Sequence, residues 1–283
     1  MSQTSANQPT TENLTEATQP SSSPSMFTGK IDQIHSQYVK FWAHESAPGD
    51  VAGYRNAVQS HVYTPPPGKQ WIKASTPFTE FKGEPLAESG DGKLLLIGNR
   101  ESFDEEQYPN DRKKAGMSMV HLMVIPKERL FNGLSLFSAP HGIDDIDIID
   151  SMISMFREAW EDRTVREKVV AHQKKAIDDR HKDRTDLDEV ARGKVLLRCE
   201  ELKQELERLV LKEDALKFED FAFGLHLWPE NSVGHLHMHV IATPTEFRKY
   251  STKLHEAKTK DAYEVKEYLE SLRSQAVAGH QNA

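Results

Sequence analysis

Three histidines alternate with apolar residues near the end of the chain: His235, His237 and His239, in Gly-His-Leu-His-Met-His-Val-Ile. If this segment is a strand, its side chains alternate between two faces, so the imidazoles line one face and the apolar residues line the other. At a rise of about 3.3 Å per residue, neighbouring imidazoles lie about 6.6 Å apart and the outer two about 13 Å apart. This pitch favours a site along an extended phosphate chain, which one ring attacks while its neighbours donate hydrogen bonds or a proton.

Two other interpretations of the trio stay open. A zinc ion binds imidazole nitrogens at about 2.0–2.1 Å in a tetrahedral shell, so a straight strand offers it two of these histidines but hardly all three. The row could also be an inert stripe on the surface. We expect the phosphate-handling site, with no metal and no cofactor.

The spacing of the trio resembles a family signature. The pattern His-φ-His-φ-His-φ-φ, filled here by residues 235–241, is typical of the histidine triad (HIT) superfamily of nucleotide hydrolases and transferases. Upstream, residues 224–229 read Gly-Leu-His-Leu-Trp-Pro and residues 232–234 read Ser-Val-Gly. Together these segments are most similar to the branch that holds aprataxin and certain histidine triad nucleotide-binding proteins. The resemblance covers about half of the chain.

A second segment supports the resemblance. Residues 119–127 read as a strand that ends at Pro126, because proline cannot donate to a sheet ladder. This strand is similar to the family strand whose histidine, here His121, approaches the triad. Residues 93–100 read as a further strand with Asn99 at its polar end. The resemblance places Asn99 where the family binds the nucleotide ribose, although Gly-Asn is also a common turn dipeptide.

The resemblance also implies roles for the site residues. His237 would attack the α-phosphorus of a nucleotidyl substrate and form a covalent nucleotidyl-histidine. Its attacking nitrogen must be unprotonated, so we expect its other nitrogen to donate to a backbone carbonyl. His235 and His239 would contact phosphate oxygens or tune His237, and His121 would lie beside them.

Two further residues before the triad are candidates for substrate binding. Ser232 stands at the family's Ser/Thr position, where it would donate to the phosphate or to the leaving group. His226 has a counterpart in the aprataxin-like branch, and it either contacts substrate or supports the sheet.

The chain as a whole is predicted to be α+β, with a HIT-like fold in which a mainly antiparallel sheet packs with helices. Residues 1–25 have almost no apolar content and should form a disordered tail. Residues 26–283 would form the HIT-like domain. Apolar residues recur at helical spacing from Ile146 to Trp160, and a final helix is expected around Leu269. We interpret residues of about 160–212 as a helical insertion, because the family usually has less helix at this point.

Composition indicates an intracellular protein, cytoplasmic or nuclear. The chain has no apolar run that could cross a bilayer and no basic-then-apolar signal pattern at its start. Its one cysteine, Cys199, excludes an internal disulfide and a cysteine-based zinc finger and is expected to pack in the core. The net charge of −8 argues against a broad electrostatic grip on nucleic acid. Basic residues at 112–114 and 248–260 are either solvated surface or lie near the phosphates.

Three functional hypotheses follow. The first is a hydrolase or nucleotidyl transferase for a small substrate such as a nucleoside phosphoramidate, an acyl adenylate or a dinucleoside polyphosphate. The second is an aprataxin-like removal of AMP from nucleic-acid 5′ ends, which the missing finger and the acidic charge make less favoured. The third is a non-catalytic nucleotide-binding scaffold that uses the inserted helices to contact a partner. A homodimer is possible in each case.

Overall fold

An antiparallel sheet packed against helices forms the centre of the described part of the chain. The structure is a computed structural model that describes residues 25–31, 76–78, 81–128, 130, 146–211, 216–227, 233 and 235–281. The α+β class predicted from the sequence is confirmed for these residues. Ser232 and the predicted tail, up to residue 24, lie outside the described residues.

Six strands make up this sheet. They are β1 (Ala87–Glu88), β2 (Leu94–Gly98), β3 (His121–Pro126), β4 (Phe221–Leu225), β5 (Met238–Ala242) and β6 (Lys260–Asp261). Their order across the sheet is β1-β2-β3-β5-β4-β6, and every neighbouring pair is antiparallel. The strand that carries His239 therefore lies at the centre, between the strand that begins with His121 and the strand that precedes His226.

Five helices accompany the sheet in the described residues. They are α1 (Asp147–Glu161), α2 (Arg163–Lys182), α3 (Glu189–Leu211), α4 (Thr245–Arg248) and α5 (Ala262–Gln281). The predicted periodicity of α1 is confirmed, because Ile149, Ile153, Phe156 and Trp160 are all buried. None of the helices in the described ranges is long and apolar enough to cross a membrane.

The two faces of the sheet differ, as the alternation in the sequence predicts. Leu236, Met238 and Val240 belong to the main core that the sheet shares with the helices. The opposite face carries His239 together with a smaller apolar cluster of Leu95, Ile97, Met123 and Ile125, against which Phe78 and Phe81 pack. One face of the central strand is thus core, and the other holds the histidine.

The predicted strand over residues 235–241 is shorter in the structure and begins only at Met238. His235 makes a single bridge, and the Leu236 N–H donates to the Leu130 carbonyl rather than to a sheet partner. The reason is Pro126, which ends β3 and has no N–H with which to extend the ladder. His235 and His237 therefore lie in the irregular segment that leads into β5, so their spacing does not follow that of a straight strand.

Residues predicted as a helical insertion form α2 and α3, which pack against each other as a pair that we call the helical hairpin (residues 163–211). Ion pairs of Lys174 with Glu207 and of Lys203 with Asp178 show that the two helices are antiparallel. Their apolar residues belong to the same core as the sheet: Val165, Val169, Val170, Ile177, Cys199, Leu202, Leu206 and Val210. The predicted packing role of Cys199 is confirmed, and burial raises the pKa of its thiol to about 11.

Candidate active site: a cluster of four histidines

Four buried imidazoles meet on the sheet face opposite the main core. In the ladder, His239 pairs with Met123 and with Gly224, so the His121 side chain lies two residues away on the same face of β3. The ring centroids of His121 and His239 are 5.2 Å apart. His226 comes directly after β4, and its ring lies 4.2 Å from that of His239.

His237 is the fourth member, and its hydrogen bonding leaves a lone pair on Nε2. Its ring lies 5.0 Å from His239 and 6.2 Å from His226, centroid to centroid. Its Nδ1–H donates to the His235 carbonyl at 2.7 Å, which confirms the predicted hydrogen bond to a backbone carbonyl. Because a neutral imidazole carries one proton, Nε2 then holds an unshared electron pair.

Burial keeps this ring neutral. It lowers the pKa of His237 to about 4, against the opposing effect of the hydrogen bond to the His235 carbonyl. The side chain is 3% exposed, and the Phe78 ring lies 5.2 Å from it between centroids. At neutral pH the His237 ring is therefore neutral, and its Nε2 is a potential nucleophile.

The tautomer of His121 is fixed by two donors. The Met117 N–H, which can only donate, lies 3.2 Å from His121 Nδ1, and Asn99 Nδ2 lies 3.0 Å from the same atom. The amide of Asn99 is oriented by the Glu101 N–H, which donates to its Oδ1. His121 Nδ1 is therefore an acceptor, so its proton is on Nε2 and points to His239 Nδ1 at 2.9 Å.

The same direction continues through the next two rings. Since His239 Nδ1 accepts from His121, its Nε2–H donates to His226 Nδ1 at 3.1 Å. His226 Nε2–H then donates to Thr259 Oγ1 at 2.9 Å, and this hydroxyl donates to the His255 carbonyl at 2.7 Å. These three rings, His121–His239–His226, form what we call the histidine chain. It begins at the Met117 N–H, which can only donate, and ends through Thr259 at the His255 carbonyl, which can only accept.

All three rings of the histidine chain are neutral at neutral pH. Burial lowers the pKa of His121 to about 3 and is the largest cause that holds the pKa values of His226 and His239 well below the usual range. Each ring therefore donates with one nitrogen and accepts with the other. Such a chain satisfies the ring nitrogens of three buried histidines without burying a charge.

The first triad histidine acts through its backbone. His235 is 1% exposed, and its Nε2–H donates to the Pro126 carbonyl at 2.8 Å, at the end of β3. Its own carbonyl accepts the proton of His237 Nδ1. Two roles were predicted for His235. Its carbonyl orients His237 and fixes the tautomer of that ring, which corresponds to the predicted tuning, while contact with phosphate oxygens stays a prediction.

Three nitrogen-bearing side chains, those of His226, His237 and His239, lie close enough to be considered as metal ligands, with candidate atoms within 4.8 Å of one another. This set differs from the triad itself. Both ring nitrogens of His239 already take part in hydrogen bonds, so a zinc ion would have to break the histidine chain to bind there. The donor set therefore fits a metal less well than it fits the neutral chain.

The structure adds residues that the sequence did not single out. Phe78, Thr259 and His255 contact the cluster, yet none of them belongs to a motif or a periodic pattern. Asn99 lies in the site as predicted, although its amide contacts His121, so that a ribose contact stays a prediction.

No model of a known protein family matches this chain, and no curated protein matches it. The resemblance to the HIT superfamily therefore depends on the quoted sequence motifs alone.

Proposed function

We propose that this protein is a HIT-type nucleotide hydrolase or nucleotidyl transferase that acts at the α-phosphate of a small nucleotidylated substrate. The observation that carries the proposal is the hydrogen bond from His237 Nδ1–H to the His235 carbonyl, which leaves Nε2 unprotonated. A HIT-like fold is proposed with it, since an antiparallel sheet holds the strand of His121 next to the strand of His239.

The chemistry divides into two displacements at phosphorus. The Nε2 lone pair of His237 bonds to the α-phosphorus, and the bond from phosphorus to the leaving group breaks with its electron pair. An amine leaving group takes up a proton from solvent, whereas a carboxylate or a phosphate leaves as the anion. The positive charge on the ring is stabilised through Nδ1–H by the His235 carbonyl. Water or another acceptor then attacks phosphorus and gives up a proton, and the P–N bond breaks to restore the lone pair.

A small substrate suits the surroundings of the nucleophile. His237 is 3% exposed beneath Phe78, and the chain as a whole carries a net charge of −8. An acidic protein disfavours a long polyanion. Phosphoramidates, acyl adenylates and dinucleoside polyphosphates are the substrate classes that we propose.

One observation favours the second candidate, removal of AMP from nucleic-acid 5′ ends. His255 Nε2 donates to the Lys113 carbonyl, which joins the basic residues of 112–114 to the basic segment after the triad. Lys258 in that segment is close enough to His237 for its charge to lower the pKa of that ring. Positive charge therefore lies beside the cluster, where a nucleic-acid phosphate would also bind.

A substrate panel distinguishes these candidates. The wild-type protein is incubated with an adenosine phosphoramidate, an acyl adenylate, a dinucleoside polyphosphate and adenylated DNA. His237→Asn should lower kcat by at least about a thousandfold, because it removes the attacking nitrogen. His181→Asn, at the end of α2, serves as the matched control and should retain turnover.

The outcomes are separable. Undiminished turnover by His237→Asn would remove the covalent mechanism. Faster turnover of adenylated DNA than of the small substrates, with a steep fall as salt rises, would favour the nucleic-acid candidate.

A further inference from the structure

The helical hairpin reaches the active site from the core side of the sheet through two consecutive residues. On α2, His172 Nε2–H donates to the Asn99 carbonyl at 2.9 Å. Gln173, which is 1% exposed, donates from Nε2 to the His121 carbonyl at 3.3 Å. The backbone carbonyls of Asn99 and of His121, at the start of the histidine chain, are therefore each held by a side chain of the hairpin.

Strand β2 is shaped to admit one of these side chains. A Cβ atom placed on Gly98, the last residue of β2, would lie 2.0 Å from His172 Cδ2. Any other residue at this position would displace the His172 ring. The glycine thus allows the hairpin to approach the backbone just before Asn99.

The same backbone atoms connect Asn99 with His121. The Asn99 N–H also donates to the His121 carbonyl, at 3.1 Å, so this oxygen accepts from both Asn99 and Gln173. The Asn99 side chain then donates to His121 Nδ1. A shift of this corner would remove the Asn99 donor from Nδ1 and leave the Met117 N–H donor in place.

The hairpin also holds the loop between these two residues, 101–116. Asp104, 1% exposed, accepts two hydrogen bonds from Arg198 of α3, at 2.9 and 3.1 Å. Gln107, also 1% exposed, donates to the Ile177 carbonyl of α2 at 3.3 Å. The loop has a length and polarity that predict mobility or function, yet it is fixed at both helices of the hairpin.

We propose that His172 and Gln173 are positioning residues of the active site, which hold the backbone at Asn99 and His121 so that the Asn99 amide stays within hydrogen-bond distance of His121 Nδ1. The hairpin is then part of the catalytic unit. The consequence for turnover depends on the proposed function, whereas the consequence for the hydrogen bonding of His121 Nδ1 does not.

The test compares two buried glutamines. Gln173→Met and Gln107→Met each remove an amide that donates to a backbone carbonyl at 3.3 Å. Gln107 also accepts from Ser102 Oγ and donates to Cys199 Sγ, but only Gln173 contacts the corner of Asn99 and His121. A second pair is His172→Phe, which removes the N–H donor, and His172→Gln, which keeps one. The hydrogen bonding of His121 Nδ1 is measured in the unliganded protein by ring ¹⁵N NMR, and kcat and KM are measured with the best substrate of the panel.

In the wild type we expect the ¹⁵N pattern of a ring protonated at Nε2. Gln173→Met and His172→Phe should move the Nδ1 shift towards that of an acceptor with fewer hydrogen bonds and lower kcat about tenfold, the effect of one buried hydrogen bond. His172→Gln should restore the wild-type pattern, and Gln107→Met should keep it although its unfolding midpoint falls. A wild-type pattern in Gln173→Met, or equal changes in Gln107→Met, would overturn the proposal.

A failure of the proposed function would look different. In that case the wild type would turn over none of the substrates, while the ¹⁵N patterns of the variants would still decide whether the hairpin positions His121.

Discussion

Acid should destabilise this protein through the buried histidine cluster. Burial lowers the pKa of His237 to about 4, whereas the ring of an unfolded chain titrates near the ordinary value of 6.5. Between these two pH values the unfolded chain binds a proton that the folded chain does not. The free energy of unfolding therefore falls as the pH drops below 6.5, and the loss from this ring levels off near pH 4.

The magnitude follows from the two pKa values. At pH 5 the unfolded ring is mostly protonated and the folded ring mostly neutral. This pH lies about 1.5 units below the pKa of the unfolded ring, so the free energy of unfolding is lower by about 2 kcal/mol. His121, whose pKa burial lowers to about 3, contributes about the same amount at that pH. Together the two rings remove about 4 kcal/mol, a large share of the 5–15 kcal/mol typical of a folded domain.

The assay is urea unfolding of the wild type and of His237→Asn at pH 7.5 and pH 5.0. The variant lacks the titrating ring, so its stability relative to the wild type should improve by about 2 kcal/mol at the lower pH. Gln107→Met removes no titrating group, so the difference between its free energy of unfolding and that of the wild type should not change with pH. A difference for His237→Asn that stays constant from pH 7.5 to 5.0 would refute the reasoning.

Two further substitutions test buried contacts, one in the loop of residues 101–116 and one beside the histidine cluster. Arg198→Met leaves the Asp104 carboxylate buried without its bidentate partner, so the free energy of unfolding should fall by about 3 kcal/mol in urea unfolding; a loss under about 1 kcal/mol would mean an ordinary surface pair. Gly224→Ala places a Cβ 2.4 Å from Thr259 Cγ2, so that Thr259 must move away from His226. We expect a loss of about 2 kcal/mol, measured in the same way, and a neutral effect would contradict the close approach.

The periodic parts of the chain could be predicted from the sequence. Apolar spacing indicated α1 and α5, and the segments of β2 and β3 were predicted as strands, because the main core selects one face of each element. The triad segment was predicted as one straight strand, and this prediction was wrong for residues 235–237, which precede β5. Pro126 was visible in the sequence. Its effect on residues 235–237, however, depends on the register between β3 and β5, which could not be read from the sequence.

The site was predicted less completely than the elements. His121, His237 and His239 meet as expected, and His226 joins them as a full member of the histidine chain. The positioning role of Gln173 could not be predicted, since it depends on a contact between residues 52 positions apart, through a carbonyl that every residue has. A helix residue of this kind looks like part of an ordinary polar surface in the sequence.

The loop of residues 101–116 illustrates the same limit. Its polar composition is typical of a mobile segment, but Phe103, Asp104, Gln107 and Tyr108 are buried in the structure. Polar side chains can be buried when donors and acceptors from distant helices meet them, and local composition does not report this.

The central claim is that His237 Nε2 attacks phosphorus, and trapping of the covalent intermediate tests it most directly. Wild-type protein is mixed with an adenosine phosphoramidate or acyl adenylate, quenched within one turnover at alkaline pH, digested and analysed by mass spectrometry. The account predicts an adenylyl group on the peptide that contains His237, fragmented to that residue, and none in His237→Asn. Turnover without an adduct, or an adduct on another residue, would contradict it.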